Sequence, residues 1–146
     1  MRLTEKFVPD ATAPFSTGSQ ARIDAHVRQI LTASEFRFAL PAAVAVGTGG
    51  TVATVRAILG ARVGLTTEQT APVVTREELR DLLDTLAPLS LAERRLVPGM
   101  PAGRADVFPT ALATILAVAD YGGFGELRHS FYNLRYGLAA RLLAAS

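Results

Sequence analysis

The sequence predicts an α/β fold, mostly helical, with a small parallel sheet. Three adjoining stretches carry that expectation. Ala42 to Val46 is small, apolar and uncharged, which suits a strand buried on both faces. Gly47-Thr48-Gly49-Gly50-Thr51 follows, and three glycines in four residues let the backbone turn sharply and take positive φ. Val52 to Leu59 has neither Gly nor Pro and reads as a helix with Thr51 as its N-cap. Strand, glycine turn and helix in this order bring backbone N–H groups and a helix N-terminus up to a phosphate or nucleotide. A tight βα turn that needs glycine only for close packing would look the same, and spacing leaves the two readings level. Gly-x-Gly-x-x-Gly would need glycine where Val52 stands, and no Gly-Lys-Ser/Thr ending makes a P-loop.

Around this centre the elements fall in order. Met1 to Phe7 is a mixed segment of about one helical turn, and Pro9 to Ser19 is a loop by its Pro, Gly, Ser and Thr content. A first helix runs from about Ser19 to about Ser34, with Ala21, Ile23, Val27, Ile30 and Leu31 as its apolar stripe. His26 within it is a surface or boundary residue, with no second ligand at metal spacing. After the helix that ends near Gly60, Ala61 to Val74 reads as a loop. Thr75-Arg76-Glu77-Glu78 is a capping box ahead of Leu79, Leu82, Leu83 and Leu86, and Ser90-Leu91-Ala92-Glu93 is a second. Pro98 to Gly103 is turn-rich. Arg104-Ala105-Asp106 follows, at the mouth of the apolar helix around Val107 to Ala119. There Asp106 caps the helix and Arg104 pairs with it or with solvent, or Arg104 reaches a bound anion; composition favours the capping reading. Tyr121 to Gly125 breaks the chain again, Glu126 to Ser130 reads as a second short strand with His129 structural, and Phe131 to Leu143 as a last helix.

Composition excludes several classes. At 146 residues one domain is expected, long enough to bury a real core. Hydrophobic residues make up 49% of the chain, yet no stretch approaches the roughly 20 apolar residues of a membrane span. The first ten residues carry Arg2, Glu5, Lys6 and Asp10, unlike a secretory signal, and a cytoplasmic protein is expected. Without cysteine there is no disulfide framework or thiolate metal site. Lys6 is the one lysine among fifteen basic residues; the arginines are scattered, which excludes a nucleic-acid stripe. Arginine does suit bidentate contact with phosphate. No carboxylate pair or nucleophile elbow stands out.

Three segments together carry a resemblance: Ala45-Val46-Gly47-Thr48-Gly49-Gly50-Thr51; Leu96-Val97-Pro98-Gly99-Met100-Pro101-Ala102-Gly103-Arg104-Ala105-Asp106-Val107; and Leu127-Arg128-His129-Ser130-Phe131-Tyr132-Asn133-Leu134-Arg135-Tyr136-Gly137-Leu138. Val74-Thr75-Arg76-Glu77-Glu78-Leu79 lies between the first two, also in the expected place. In order and spacing the chain resembles the last part of the exopolyphosphatase and guanosine pentaphosphate phosphatase family, of the actin-like, sugar-kinase and heat-shock ATPase superfamily. The resemblance implies part of a ribonuclease H-like lobe, with phosphate bound between two domains and hydrolysis of polyphosphate or guanosine pentaphosphate assisted by magnesium. It matches Gly47, Thr48, Gly49, Gly50 and Thr51 to the glycine loop lining the cleft. It matches Arg104 to an arginine near phosphate or the guanosine nucleotide, and Ser130 and Arg135 to a closing strand–helix pattern. Phe131 and Tyr136 stand where the family often has acidic residues. The family's N-terminal domain, with its Asp-x-Gly segment and catalytic glutamate, and its Asp-x-Gly-Gly-Gly-Ser hairpin have no counterpart in this sequence. The expectation is therefore residues 1–146 as the later part of a second domain, inactive alone. It would hold no magnesium by itself and self-associate through an uncovered sheet. The alternative is a module that binds a guanosine or other nucleotide without catalysis.

Overall fold

The computed structural model describes residues 3–36, 38 and 43–144. Helix α1 spans Leu3–Phe7 and α2 spans Thr17–Ala33. The Ser16 side chain caps α2 by accepting from Ser19 N–H at 3.1 Å, so the helix starts two residues before its apolar stripe suggests. Of that stripe, Ile23 and Val27 are buried while Ala21 and Ile30 face outward.

Strand β1 is Val46–Thr48 and helix α3 is Gly50–Ala61. These bounds correct the expected ones. The strand lies later than Ala42 to Val46, and Val44 and Val46 are 61% and 57% exposed rather than buried on both faces. Ala42 itself falls outside the described residues. Among those residues β1 pairs only with a strand on one side, so its other edge is uncovered. Gly47 and Thr48 belong to the strand, and a Cβ on Gly47 would lie 2.6 Å from Val52 Cγ2, so glycine there lets α3 pack on β1. Val52, Val55 and Ile58 form the buried face of α3.

Strand β2, Val73–Thr75, leads directly into α4, Arg76–Leu86. Thr75 both ends the strand and caps the helix, with both arms of its capping box made: Thr75 Oγ1 accepts from Glu78 N–H at 3.1 Å and Glu78 Oε2 accepts from Thr75 N–H at 2.7 Å. The sequence reading has loop up to Val74; three residues are too few to show strand periodicity beside a strong helix signal. Helix α5 is Leu91–Arg95, opened by the Ser90–Glu93 box, and a 3₁₀ turn covers Ala102–Arg104. Helix α6, Phe108–Gly122, carries Pro109 in its first turn, where the missing N–H costs nothing. Strand β3 is Glu126–Ser130 and α7 is Leu134–Ala144.

The sheet order is β1-β3-β2. β1 runs parallel to β3, with Gly47 opposite His129, and β2 runs antiparallel, with Val74 opposite Leu127. The small sheet is thus mixed, because β2 adds to the parallel pair from the other edge. The core sits between helices: α6 packs between α2 and α4, burying Ile23, Leu79, Leu82, Leu83, Leu86 and Leu112 almost completely. That layer holds α6 in place, and the loop entering α6 carries Arg104.

Candidate functional site

The site is built at the N-terminus of α3. Gly49 is the N-cap residue, with φ +91°, a conformation that favours glycine. The expected cap, Thr51, sits inside the first turn instead, and no side chain caps the helix. The first N–H groups of a helix have no intrahelical partner and carry the positive end of its dipole, so an uncapped first turn offers donors to an anion.

Arg104 comes to this turn from the other side. A Cβ on Gly50 would overlap Nη1, Nη2 and Cζ of Arg104, so the guanidinium lies directly on the bare backbone of Gly50. Its placement is enforced from below. Arg94 of α5 is 1% exposed and donates to Ala105 O at 2.9 Å, to Ala11 O at 3.0 Å and to Ala13 O at 2.8 Å. Burial pushes the Arg94 guanidinium below its ordinary value, and the charge of Asp106 opposes that shift. The buried arginine therefore clamps the residue after Arg104 to the loop at residues 11–13, while Arg104 N–H donates to Pro101 O at 2.9 Å within the 3₁₀ turn.

Arg104 itself is exposed and forms no salt bridge among the described residues. Asp106 does not cap α6, whose N-cap residue is Val107 with no side-chain bond. The cap itself is corrected, since Asp106 lines the groove instead; Arg104 stays open to solvent, as one form of that reading has it, with its guanidinium over Gly50. That groove, about 610 Å³, is walled by Leu3, Thr51, Arg104, Asp106, Thr110 and Ile115. A shallower hollow of about 280 Å³ on the other flank of Arg104 is lined by Gly50, Thr54, Thr67, Glu68 and Pro101.

Of the residues singled out in the sequence, Gly49, Gly50, Thr51 and Arg104 converge on one spot. Gly47 and Thr48 are strand residues, paired with His129 and Ser130, and they position the turn rather than line the groove. Sequence reasoning missed Arg56, which is 3% exposed on α3. It donates to Ala71 O at 3.0 Å, to Thr67 O at 2.6 Å and to Thr70 O, and its Nη1 lies 2.8 Å from His129 Nδ1. The signal was present: one arginine stands in the apolar run from Val52 to Leu59.

Magnesium is ordinarily held by one or two carboxylates together with phosphate oxygens and water. Asp106 is a carboxylate lining the groove and Glu68 lines the hollow, and no three His, Cys, Asp or Glu residues gather into a metal site among the described residues. These residues do not by themselves fit a resident magnesium ion.

Solved structures of this shape exist. The chain superposes on the Ppx/GppA family member from Aquifex aeolicus with a TM-score of 0.80 at 22% identity, covering 99% of this chain and 46% of that one. It superposes on an exopolyphosphatase from Cytophaga hutchinsonii at 0.72 and 18% identity, covering 98% and 46%. An exopolyphosphatase-like protein gives 0.79 at 20% identity, covering 98% and 48%. The chain has the fold of the Ppx/GppA proteins. It spans about half the length of those structures. No family model and no curated protein sequence matches the chain. No helix among the described residues is long and apolar enough to cross a membrane.

Proposed function

We propose that this chain is the phosphate-facing part of a Ppx/GppA-type phosphoanhydride hydrolase, binding an anion at α3 but not cleaving it alone. One observation carries the reading: the guanidinium of Arg104 rests on Gly50, at the uncapped N-terminus of α3, with no ion pair to a carboxylate among the described residues. A cation beside a helix N-terminus favours a bound oxyanion. Cleaving a phosphoanhydride needs more: an activated water and a second set of groups holding the transferred phosphoryl. By resemblance to the family those groups stand on the opposing domain.

The test is calorimetric titration with tripolyphosphate. Arg104→Ala should weaken binding by about 10–100-fold, the worth of a charge-assisted hydrogen bond. Gly50→Ala should weaken it with little loss of stability, since only the far end of the Arg104 side chain has to move. Unchanged affinity in both variants refutes the site. The purified chain with magnesium and polyphosphate should release no phosphate above background, and sustained release overturns the half-site reading.

A second reading, a nucleotide-binding module without catalysis, is favoured by the groove itself. Leu3, Val107, Ala111 and Ile115 give an uncharged ring a place beside Arg104, and the Thr110 hydroxyl is buried without a partner among the described residues. A polyphosphate chain would leave that wall unused. Guanosine pentaphosphate binding far tighter than tripolyphosphate would select this module. We place the protein in the cytoplasm, and the edge of β1, unpaired among the described residues, and the exposed leucines of α7 support association with a second copy or an opposing lobe. A clean monomer in sedimentation at high concentration counts against the second copy.

A further inference from the structure

We propose that Arg56 and His129 form a proton-sensitive latch that holds the segment at residues 66–71 on α3 while His129 is neutral and releases it on acidification. The geometry fixes the protonation state. A guanidinium nitrogen only donates, so at 2.8 Å from Arg56 Nη1 the Nδ1 of His129 must accept, and the ring proton sits on Nε2. The same guanidinium also donates to Ala71 O, Thr67 O and Thr70 O, so one side chain joins β3, α3 and the segment. Within the segment, Thr66 and Gln69 bond each other and Thr70 bonds back to Thr66 O at 2.8 Å. Its ends are tethered by Leu65 N–H to Gly60 O at 2.9 Å and by His129 N–H to Pro72 O at 2.7 Å, and between those ends the Arg56 guanidinium donates to three of its carbonyls. A proton arriving on Nδ1 removes the acceptor and sets two cations face to face in a buried place.

The charged groups around His129 can be named element by element. Arg56 faces it from α3, and Glu68 of the segment has its carboxyl held low first by its own backbone N–H, then by the Thr66 hydroxyl, with a smaller contribution from the Arg56 charge. Neither β1 nor β2, its neighbours in the sheet, carries a charged residue. Phe131 closes the far side, with its ring 4.7 Å from the His129 ring and under the Arg56 guanidinium at 5.5 Å. No carboxylate lies within ion-pair distance of Arg56 among the described residues, so no direct ion pair there offsets a second positive charge. Burial first, and the Arg56 charge second, hold the imidazole below its ordinary value, in keeping with this geometry. Thr67 and Glu68 also line the hollow beside Arg104, so release would open the anion site on that flank. That consequence rests on the proposed function; the latch itself does not.

The experiment is amide hydrogen exchange by NMR on the full chain without ligand, from about pH 7.5 to about pH 5, corrected for the intrinsic pH dependence of exchange. The Thr66, Gln69 and Thr70 amides should lose protection by about tenfold for each unit below the onset. Their midpoint should coincide with the titration of the His129 ring followed in the same samples. In His129→Asn, which keeps an acceptor but cannot titrate, the loss should vanish. Should that variant not fold, coincidence of the two midpoints in the wild type decides alone. Ring titration with unchanged segment protection, or the same acid loss in a folded His129→Asn protein, overturns the latch. Tripolyphosphate affinity measured across the same range separates the two proposals: segment release without any anion binding keeps the latch and rejects the anion site.

Discussion

The layer of α2, α4 and α6 and the closing helix α7 use the same residues to opposite ends. In the layer, leucine is interior: Leu82, Leu86 and Leu112 have no exposure at all, and α6 is covered by a helix on each flank. On α7, Leu134 is 87% exposed, Leu138 and Leu142 more than half, and no α7 residue is buried. α4 repeats leucine at three- and four-residue spacing and α7 at four, both helical periods, so the pattern alone does not separate them. The difference is what lies opposite. Periodicity tells which face of a helix is apolar, and only a second element with a matching face makes that apolar face a core. The first region is complete within the chain, and the second presents a surface that fits the proposal of an opposing lobe.

That contrast can be broken most forcefully from inside the layer. Leu82→Ala should cost about 2–5 kcal/mol in urea unfolding, because it opens a cavity between packed helices. Arg94→Met should come next, on the order of 3 kcal/mol, since it strands the carbonyls of Ala11, Ala13 and Ala105 that the guanidinium satisfies. It should also loosen Arg104, read as weaker tripolyphosphate binding. Thr75→Ala removes one arm of a capping box and should cost about 1 kcal/mol. The smallest effect belongs to α7: Leu138→Ala should change stability by less than about 0.5 kcal/mol. A loss comparable with that of Leu82→Ala, growing with protein concentration, would show that α7 is covered in solution by a second copy.

Acid adds a further test on the sheet side. The folded His129 binds its proton at lower pH than the unfolded chain, whose histidine titrates near 6.5. Below about that pH the unfolded state takes up the extra proton, so the stability associated with a neutral His129 is complete above it. It is lost as pH falls through the window between 6.5 and the lower folded value. Unfolding curves collected down through that window should show the decline in the wild type and a flatter profile in His129→Asn.

Much of this architecture was legible beforehand where a local rule decides it. Both capping boxes, the four leucines of α4, the apolar α6 and the short β3 follow from spacing that acts within a few residues. Errors came where a distant partner decides. β2 forms because β3 offers it an edge. β1 slides to Val46–Thr48 because its register is set against Arg128, His129 and Ser130. Arg56 escaped notice because its four partners lie at residues 67, 70, 71 and 129.

The sequence by itself determined where the two capping boxes start α4 and α5, which helix faces are apolar, and that a glycine turn precedes α3, since steric limits and side-chain capping act locally. The tertiary structure alone decided that Arg104 lies on Gly50 and that two other arginines are buried as clamps. A guanidinium ends on a long flexible stem, and its place is fixed by whatever carbonyls or bare backbone the folded chain brings within reach.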